Sequence, residues 1–174
     1  MHFFLTGARQ AGKSTAIAKA LAGTGIVPGG FVTVFARDAE PRTLLLLPPD
    51  APRTFDACRV VARFADGRMR ADADRFDSLG TECLRNAERA PLILMDECGF
   101  LESDALRFRR AVLSALDGEV PVLGVVREGA GGWTERIRAH PKVMLRTLTP
   151  ENRDEIADSV LQWLKREVLH ENDG

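Results

Sequence analysis

The sequence has no tyrosine, three histidines and three cysteines among its 174 residues. An odd cysteine count without CxxC spacing is no disulfide framework, so Cys58, Cys83 and Cys98 read as reduced thiols in or near the core. Cys98 lies just beyond a candidate metal position, where a thiol is able to respond to oxidants or metals. His2, His140 and His170 are scattered, with no metal-ligand spacing between them. The charges nearly cancel: 24 Lys and Arg face 25 Asp and Glu, and a formal net charge of -1 gives no global field for nucleic acid or an anionic membrane. A basic patch interleaved with aromatics is also lacking, which sets nucleic acid aside as an expected partner. The longest apolar run, 43–47, ends at Pro48-Pro49 and falls far short of the roughly 20 residues of a membrane span. The opening Met1-His-Phe-Phe-Leu is too short for a signal peptide. These absences predict a cytoplasmic chain with no membrane partner, and the length predicts a single domain over 1–174.

What is present is more specific. A short apolar run, 2–6, leads into Gly7-Ala8-Arg9-Gln10-Ala11-Gly12-Lys13-Ser14, a GxxxxGKS segment, and then into an alanine-rich helical stretch. Backbone N–H groups converging at a helix N-terminus, where the dipole is positive, hold phosphate oxygens well. Gly7 and Gly12 let the backbone curl that tightly. Gly7, Ala8, Arg9, Gln10, Ala11, Gly12, Lys13, Ser14 and Thr15 are therefore the candidate nucleotide-binding residues. Lys13 is assigned to the β- and γ-phosphates, Ser14 to a magnesium ion shared with the nucleotide, and Thr15 to the α-phosphate side. Arg9 either lies over the γ-phosphate or points to solvent, with solvent favoured.

The second chemical signal is Leu92-Ile-Leu-Met-Asp96-Glu97, an apolar strand ending in two acids. Asp96 at the carboxyl end of that strand is the second candidate magnesium ligand. Glu97, one position on, is the candidate group to orient and polarise an attacking water. Arg127 follows another buried strand, 121–126. It is placed either to neutralise transition-state charge, as a third catalytic candidate beside Lys13 and Glu97, or to form a plain surface salt bridge.

Apolar runs alternating with helical patterns predict an α/β fold, a mainly parallel sheet in three layers with helices on both faces. The short spacing between predicted strands 31–37 and 43–47 leaves no room for a crossover and predicts an antiparallel pair. A further strand over 59–64 turns at Asp66-Gly67, so 31–70 reads as a small antiparallel β insertion. Helix is predicted over 75–89, with Phe76, Leu79, Cys83, Leu84 and Ala87 inward. The next helix is expected to be capped by Ser103, with Leu106, Val112, Leu113 and Leu116 on its inner face. After a flexible glycine loop at 129–132 come a short helix, 133–139, and a last strand, 143–146. Thr149-Pro150 opens the C-terminal helix, and the last few residues read as disordered.

Several of these segments occur together in one known order. Residues 7–15, Gly30-Phe31-Val32-Thr33 with Arg37, the stretch 76–87, Asp96-Glu97-Cys98-Gly99 through Glu102, and Leu148-Thr-Pro-Glu-Asn152-Arg153-Asp154 resemble a family of small P-loop nucleoside-triphosphatases. Its eukaryotic members are called cancer-related nucleoside-triphosphatase, and thermophile NTPases are among its prokaryotic ones. The resemblance covers nearly the whole chain. It implies a RecA-like α/β domain that hydrolyses ATP, GTP and other triphosphates slowly, with Mg²⁺ and little regard for the base. It also implies phosphate contact for Lys13, magnesium for Ser14 and Asp96, and the water for Glu97. This chain departs from the family in Arg9-Gln10-Ala11, where the family has smaller residues, and in Cys98, where an aliphatic is usual.

Two other readings stay open beside it. A small-molecule or nucleoside kinase shares the phosphate loop, and 127–138 is readable as a lid carrying Arg127, Arg136 and Arg138. A nucleotide-dependent switch or assembly factor, with an unknown protein partner, would use the β insertion and the glycine loop as moving surfaces. Thr33 and Arg37, in the β insertion near the catalytic edge, are candidate substrate-side or gating residues. Asn152-Arg153-Asp154 either touches the base or locks its helix to the core, the latter favoured.

Overall fold

The alternation of apolar runs and helical patterns resolves into a single eight-stranded sheet. The computed structural model describes residues 1–129 and 131–170. The sequence-based expectation of a disordered tail concerns residues 171–174, and Ala130 belongs to the predicted glycine loop; both lie outside the described residues. In chain order the elements are β1 (His2–Thr6), α1 (Lys13–Ala22), β2 (Gly29–Phe35), β3 (Thr43–Leu47), β4 (Val60–Ala65) and β5 (Arg68–Ala71). They continue with α2 (Ala73–Arg75), α3 (Thr81–Asn86), β6 (Ile93–Cys98), α4 (Leu106–Asp117), β7 (Val122–Val126), α5 (Thr134–Arg138), β8 (Val143–Thr147) and α6 (Arg153–Glu167).

The strand order is β5-β4-β3-β2-β6-β7-β1-β8. The five strands β2, β6, β7, β1 and β8 run parallel. On the other side of β2, strands β3, β4 and β5 add on antiparallel. The sheet is thus RecA-like with an antiparallel extension, and β2 belongs to both parts. The predicted insertion is an edge-on continuation of the main sheet. Its last strand, β5, follows a turn in which Asp66 and Gly67 both take positive φ, 51° and 76°. That handedness matches strand twist across a two-residue hairpin.

Strand alternation sorts the core into two layers. From β1, Phe3 and Leu5 face α1 and α6 and pack with Ile17, Ile156, Val160 and Trp163. Phe4 faces the other way, with Phe31, Phe76, Phe108, Val112 and Trp133. The buried His2 ring bridges this second layer: one nitrogen accepts from Val122 N–H at 3.1 Å and the other meets Leu116 O at 2.8 Å. Burial holds its pKa below the ordinary value. Two glycines are dictated by close approach: a Cβ at Gly30 (φ +97°) would overlap Leu94 O, and one at Gly7 (φ +130°) would overlap Leu148 O.

Several local expectations are corrected. The predicted helix 75–89 is interrupted: α2 passes into a π-helical stretch, Phe76–Gly80, then α3, then a 3-10 turn, Ala87–Arg89. Its five predicted inward residues are nevertheless all buried. Ser103 does not cap α4. Its hydroxyl donates to Phe100 O at 2.6 Å, and α4 starts at Leu106 with the Phe108 N–H held by the Asp77 carboxylate at 2.8 Å. That start shifts the inward stripe to Phe108, Val112 and Leu116 and leaves Leu106 54% exposed. Cys58 sits on the surface in the turn Ala57–Arg59, while Cys83 and Cys98 are buried. The C-terminal helix begins at Arg153, later than Thr149-Pro150, because Asn152 organises the approach. Its side chain accepts from Thr149 N–H at 2.8 Å and donates to Thr147 O at 3.0 Å.

Candidate active site

Parallel strands deliver the turns that follow them to one edge of the sheet. Here the loop after β1, the end of β6 and the turn after β7 meet in a cleft of about 1350 Å³. The phosphate-loop segment lines it with Gly7, Ala8, Arg9, Gln10, Gly12, Lys13, Ser14 and Thr15. Ala11 turns the opposite way, buried against α6 and the core. The loop is held from beneath: Leu148 N–H donates to Thr6 O at 2.9 Å, and Arg153 lies against Gly12. Arg9 and Gln10 are exposed, and Gln10 takes φ 60°. The Lys13 ammonium donates to Gly7 O at 2.8 Å and Ala8 O at 2.7 Å, which places its charge across the mouth of the loop.

Asp96 and Glu97 stand opposite, at the end of β6. Their shared peptide is cis, and β6 skips register on β7 between Asp96 and Cys98. Thr33 of β2 brackets this peptide: its hydroxyl donates to Asp96 O at 3.4 Å and accepts from Glu97 N–H at 3.3 Å. Desolvation raises the Asp96 carboxyl, opposed by a hydrogen bond from the Ser14 hydroxyl, while Glu97 raises it further and Arg53 and Lys13 lower it. Ser14 and Asp96 therefore face each other from two elements far apart in sequence. The pair offers only hard oxygen donors, as a magnesium site requires when water and phosphate complete the shell. Cys98 does not compete for a metal. It is fully buried, and burial pushes its thiol well above the usual range, so the expected sensitivity to oxidants and metals has no thiolate to act through.

The strand end is braced by the residues after it. The Glu102 carboxylate, 4% exposed, accepts the Gly99 N–H, while Trp133 Nε1 donates to Gly99 O at 2.8 Å. Arg127 donates its backbone N–H to Cys98 O at 2.9 Å and stacks its guanidinium 4.6 Å from the Phe100 ring. Arg138 reaches back from α5 to Arg127 O at 2.5 Å and to Thr6 Oγ1 at 3.4 Å. Arg127 lines the cleft and makes no ion pair among the described residues. The alternative of a plain salt bridge thus has no partner among them.

Burial also raises Glu102, to about 7, with the Gly99 hydrogen bond and Arg127 opposing and Glu97 adding to the rise. An acid shifted upward in the folded state stabilises the fold fully below its unfolded value near 4.5. That contribution is lost as pH rises through about 7. Glu102→Gln keeps an acceptor for Gly99 N–H and removes the titration. The variant is expected to gain about 2–3 kcal/mol over wild type between pH 5 and 8. Denaturant unfolding at both pH values measures this, and parallel curves for the two proteins would refute it.

Thr33 is thus in the site, whereas Arg37 is exposed and outside the cleft lining. The sequence reading missed Trp133 and Arg138 as braces. It also did not foresee that residues of the antiparallel strands would line the cleft. Phe35, Arg42, Phe64, Arg68 and Arg70, distant in sequence, line the far side of the same cleft.

A RecA-like sheet whose first strand runs into a GxxxxGKS loop, with an acid pair ending a neighbouring parallel strand, is the architecture of P-loop nucleotide-binding proteins. The comparisons narrow the class. The NTPase_1 family model, described as NTPase, matches residues 2–161, and the chain belongs to this family. Nucleoside-triphosphatase THEP1 of Methanocaldococcus jannaschii is 27% identical over 172 residues, covering 92% of this chain and 95% of that protein. Its namesake from Thermofilum pendens is 30% identical over 162 residues, covering 88% and 89%. The solution structure of a human cancer-related nucleoside triphosphatase, 25% identical, superposes with a TM-score of 0.74 over 94% of this chain and 97% of that one. The crystal structure of THEP1 from Aquifex aeolicus shares the fold, with a TM-score of 0.77 over 95% of this chain and all of that one. Among the described residues no helix is long and apolar enough to cross a membrane.

Proposed function

We propose that this protein hydrolyses nucleoside triphosphates to the diphosphate and phosphate, with magnesium and with little discrimination between bases. The observation that carries the reading is the convergence of the phosphate loop, Asp96-Glu97 and Arg127 on one cleft from the ends of β1, β6 and β7. In this reading the loop amides and Lys13 hold the phosphate oxygens. Ser14 and Asp96 would hold Mg²⁺, which when bound supplies charge neutralisation at the β,γ-phosphates. Glu97 orients a water in line with the γ-phosphorus and takes up its proton. A new P–O bond forms from the water as the bond to the bridging β,γ-oxygen breaks, and the diphosphate carries away that oxygen. Arg127 meets the charge that develops on the leaving side. Electrostatic positioning of this kind is the main source of acceleration in phosphoryl transfer. Every residue assigned here faces phosphate or water, parts common to all nucleoside triphosphates, which supports permissiveness toward the base.

The test is phosphate release from ATP, GTP, CTP and UTP without any acceptor. Release is expected from all four, with kcat/KM values within about tenfold of one another. It should disappear on chelation and return with Mg²⁺. Negligible release alone, with rapid transfer to an added alcohol or nucleoside, would replace hydrolysis by a kinase reaction.

A further inference from the structure

The cleft is larger than one nucleotide needs. Its volume of about 1350 Å³ exceeds the roughly 300–1,000 Å³ of ordinary small-molecule sites. It is also divided by charge. All its acidic lining residues end or follow β6 or follow β7, whereas the wall built by β2 to β5 carries none and contributes Arg42, Arg68 and Arg70. Arg70 is paired with Asp66 at 3.1 Å, but Arg42 and Arg68 make no ion pair among the described residues. Two phenylalanines stand half-exposed on the same wall, Phe35 at 38% and Phe64 at 42%. Arg42 already stacks on Phe35, its guanidinium carbon 3.7 Å from the ring centre, which leaves its N–H groups free to turn outward. Leu44 and Met69 form an apolar floor between them.

Sheet order fixes where this wall lies relative to a bound triphosphate. The phosphate loop follows β1, and Asp96-Glu97 ends β6. The wall begins one strand further on, at β2, and continues to β5. A triphosphate seated in the loop with its γ end toward Glu97 stops short of it. We propose that this distal wall is a second binding site, for a nucleotide unit of one base and one phosphate. The base stacks on Phe64 and the apolar floor, which share one face of the sheet, and the phosphate is held by Arg42, whose guanidinium rests on Phe35. Aromatic rings beside unpaired arginines are the combination that recognises bases joined to phosphate. The proposal rests on the triphosphate occupying the loop, which binding of the triphosphate analogue alone tests separately.

Calorimetric titration decides the matter. The protein is first saturated with Mg²⁺ and a non-hydrolysable triphosphate analogue, and nucleoside monophosphate is then added. One further equivalent is expected to bind. Phe64→Ala and Arg42→Gln, both at exposed positions, should each weaken it about tenfold or more. Affinity for the analogue should stay within about twofold. Inorganic phosphate and the free nucleoside, each lacking half of the ligand, should compete poorly. A short single-stranded oligonucleotide forms another arm. If it binds with the same sensitivity to both substitutions and outcompetes the monophosphate, the nucleotide unit belongs to a strand; if it does not compete, the unit is free. Absence of a second equivalent, or binding indifferent to both substitutions, would overturn the site.

Discussion

Glu97→Gln is expected to leave triphosphate binding intact while lowering turnover by about 10²–10⁴-fold, the range over which a positioned general base contributes. The size follows from how Glu97 is held. Its backbone N–H is fixed by Thr33 on β2, and the next residue, Cys98, is anchored through its carbonyl to Arg127. A glutamine at this position keeps the shape and the hydrogen-bonding oxygen but cannot accept a proton from the water. The loop and the Ser14–Asp96 pair are untouched, so affinity for a non-hydrolysable analogue should stay within about twofold of wild type. Steady-state phosphate release and equilibrium binding on the same preparation separate the two effects. Equal turnover by the variant and wild type would remove Glu97 from the mechanism. Weakened binding would make it a ligand-holding residue instead.

Lys13→Ala should act on the other half of the site and at an earlier step. The ammonium already spans Gly7 O and Ala8 O, so its position over the loop is set before any phosphate arrives. Charge-assisted hydrogen bonds are worth about 1.5–3 kcal/mol each. Losing two of them is expected to weaken triphosphate binding about 10²-fold or more, with turnover falling at least as far. The side chain is part-exposed and contributes no core packing, so the melting temperature should change little. Lys13→Arg is not expected to rescue binding, because a planar fork does not replace a compact charge in so tight a curl. Full binding by Lys13→Ala would show that the backbone amides suffice.

Much of this molecule was legible in the chain. The parallel core was readable because buried strands write themselves as unbroken apolar runs, as in Leu92-Ile-Leu-Met. The loop was readable because Gly7, Gly12 and Lys13 each answer a separate physical demand. The antiparallel pair was readable from spacing alone. Less legible were features that depend on residues far away in sequence. The start of α4 is set by Asp77, in the segment leading into α3, and no pattern near Ser103 records that contact. The π-helical stretch at Phe76–Gly80 keeps the same buried residues as an ordinary helix, so periodicity cannot distinguish the two. Thr33 could be named as a candidate but not placed, because its partner peptide comes from a neighbouring strand across a crossover. The distal wall was invisible because its aromatic and arginine residues alternate across three turns, not along one segment.

The terminal strand β5 puts a short row of unpaired backbone groups at the rim of the sheet, the sort of border along which folded proteins stick to one another. Its sequence, Arg-Met-Arg-Ala, studs that border with exposed positive charge. Like charges along such a border disfavour its pairing with a neighbouring molecule. Exchanging them for leucine or valine is expected to open a seam for fibre-like association. Resistance to edge-to-edge association is thus written into the side chains of this one strand.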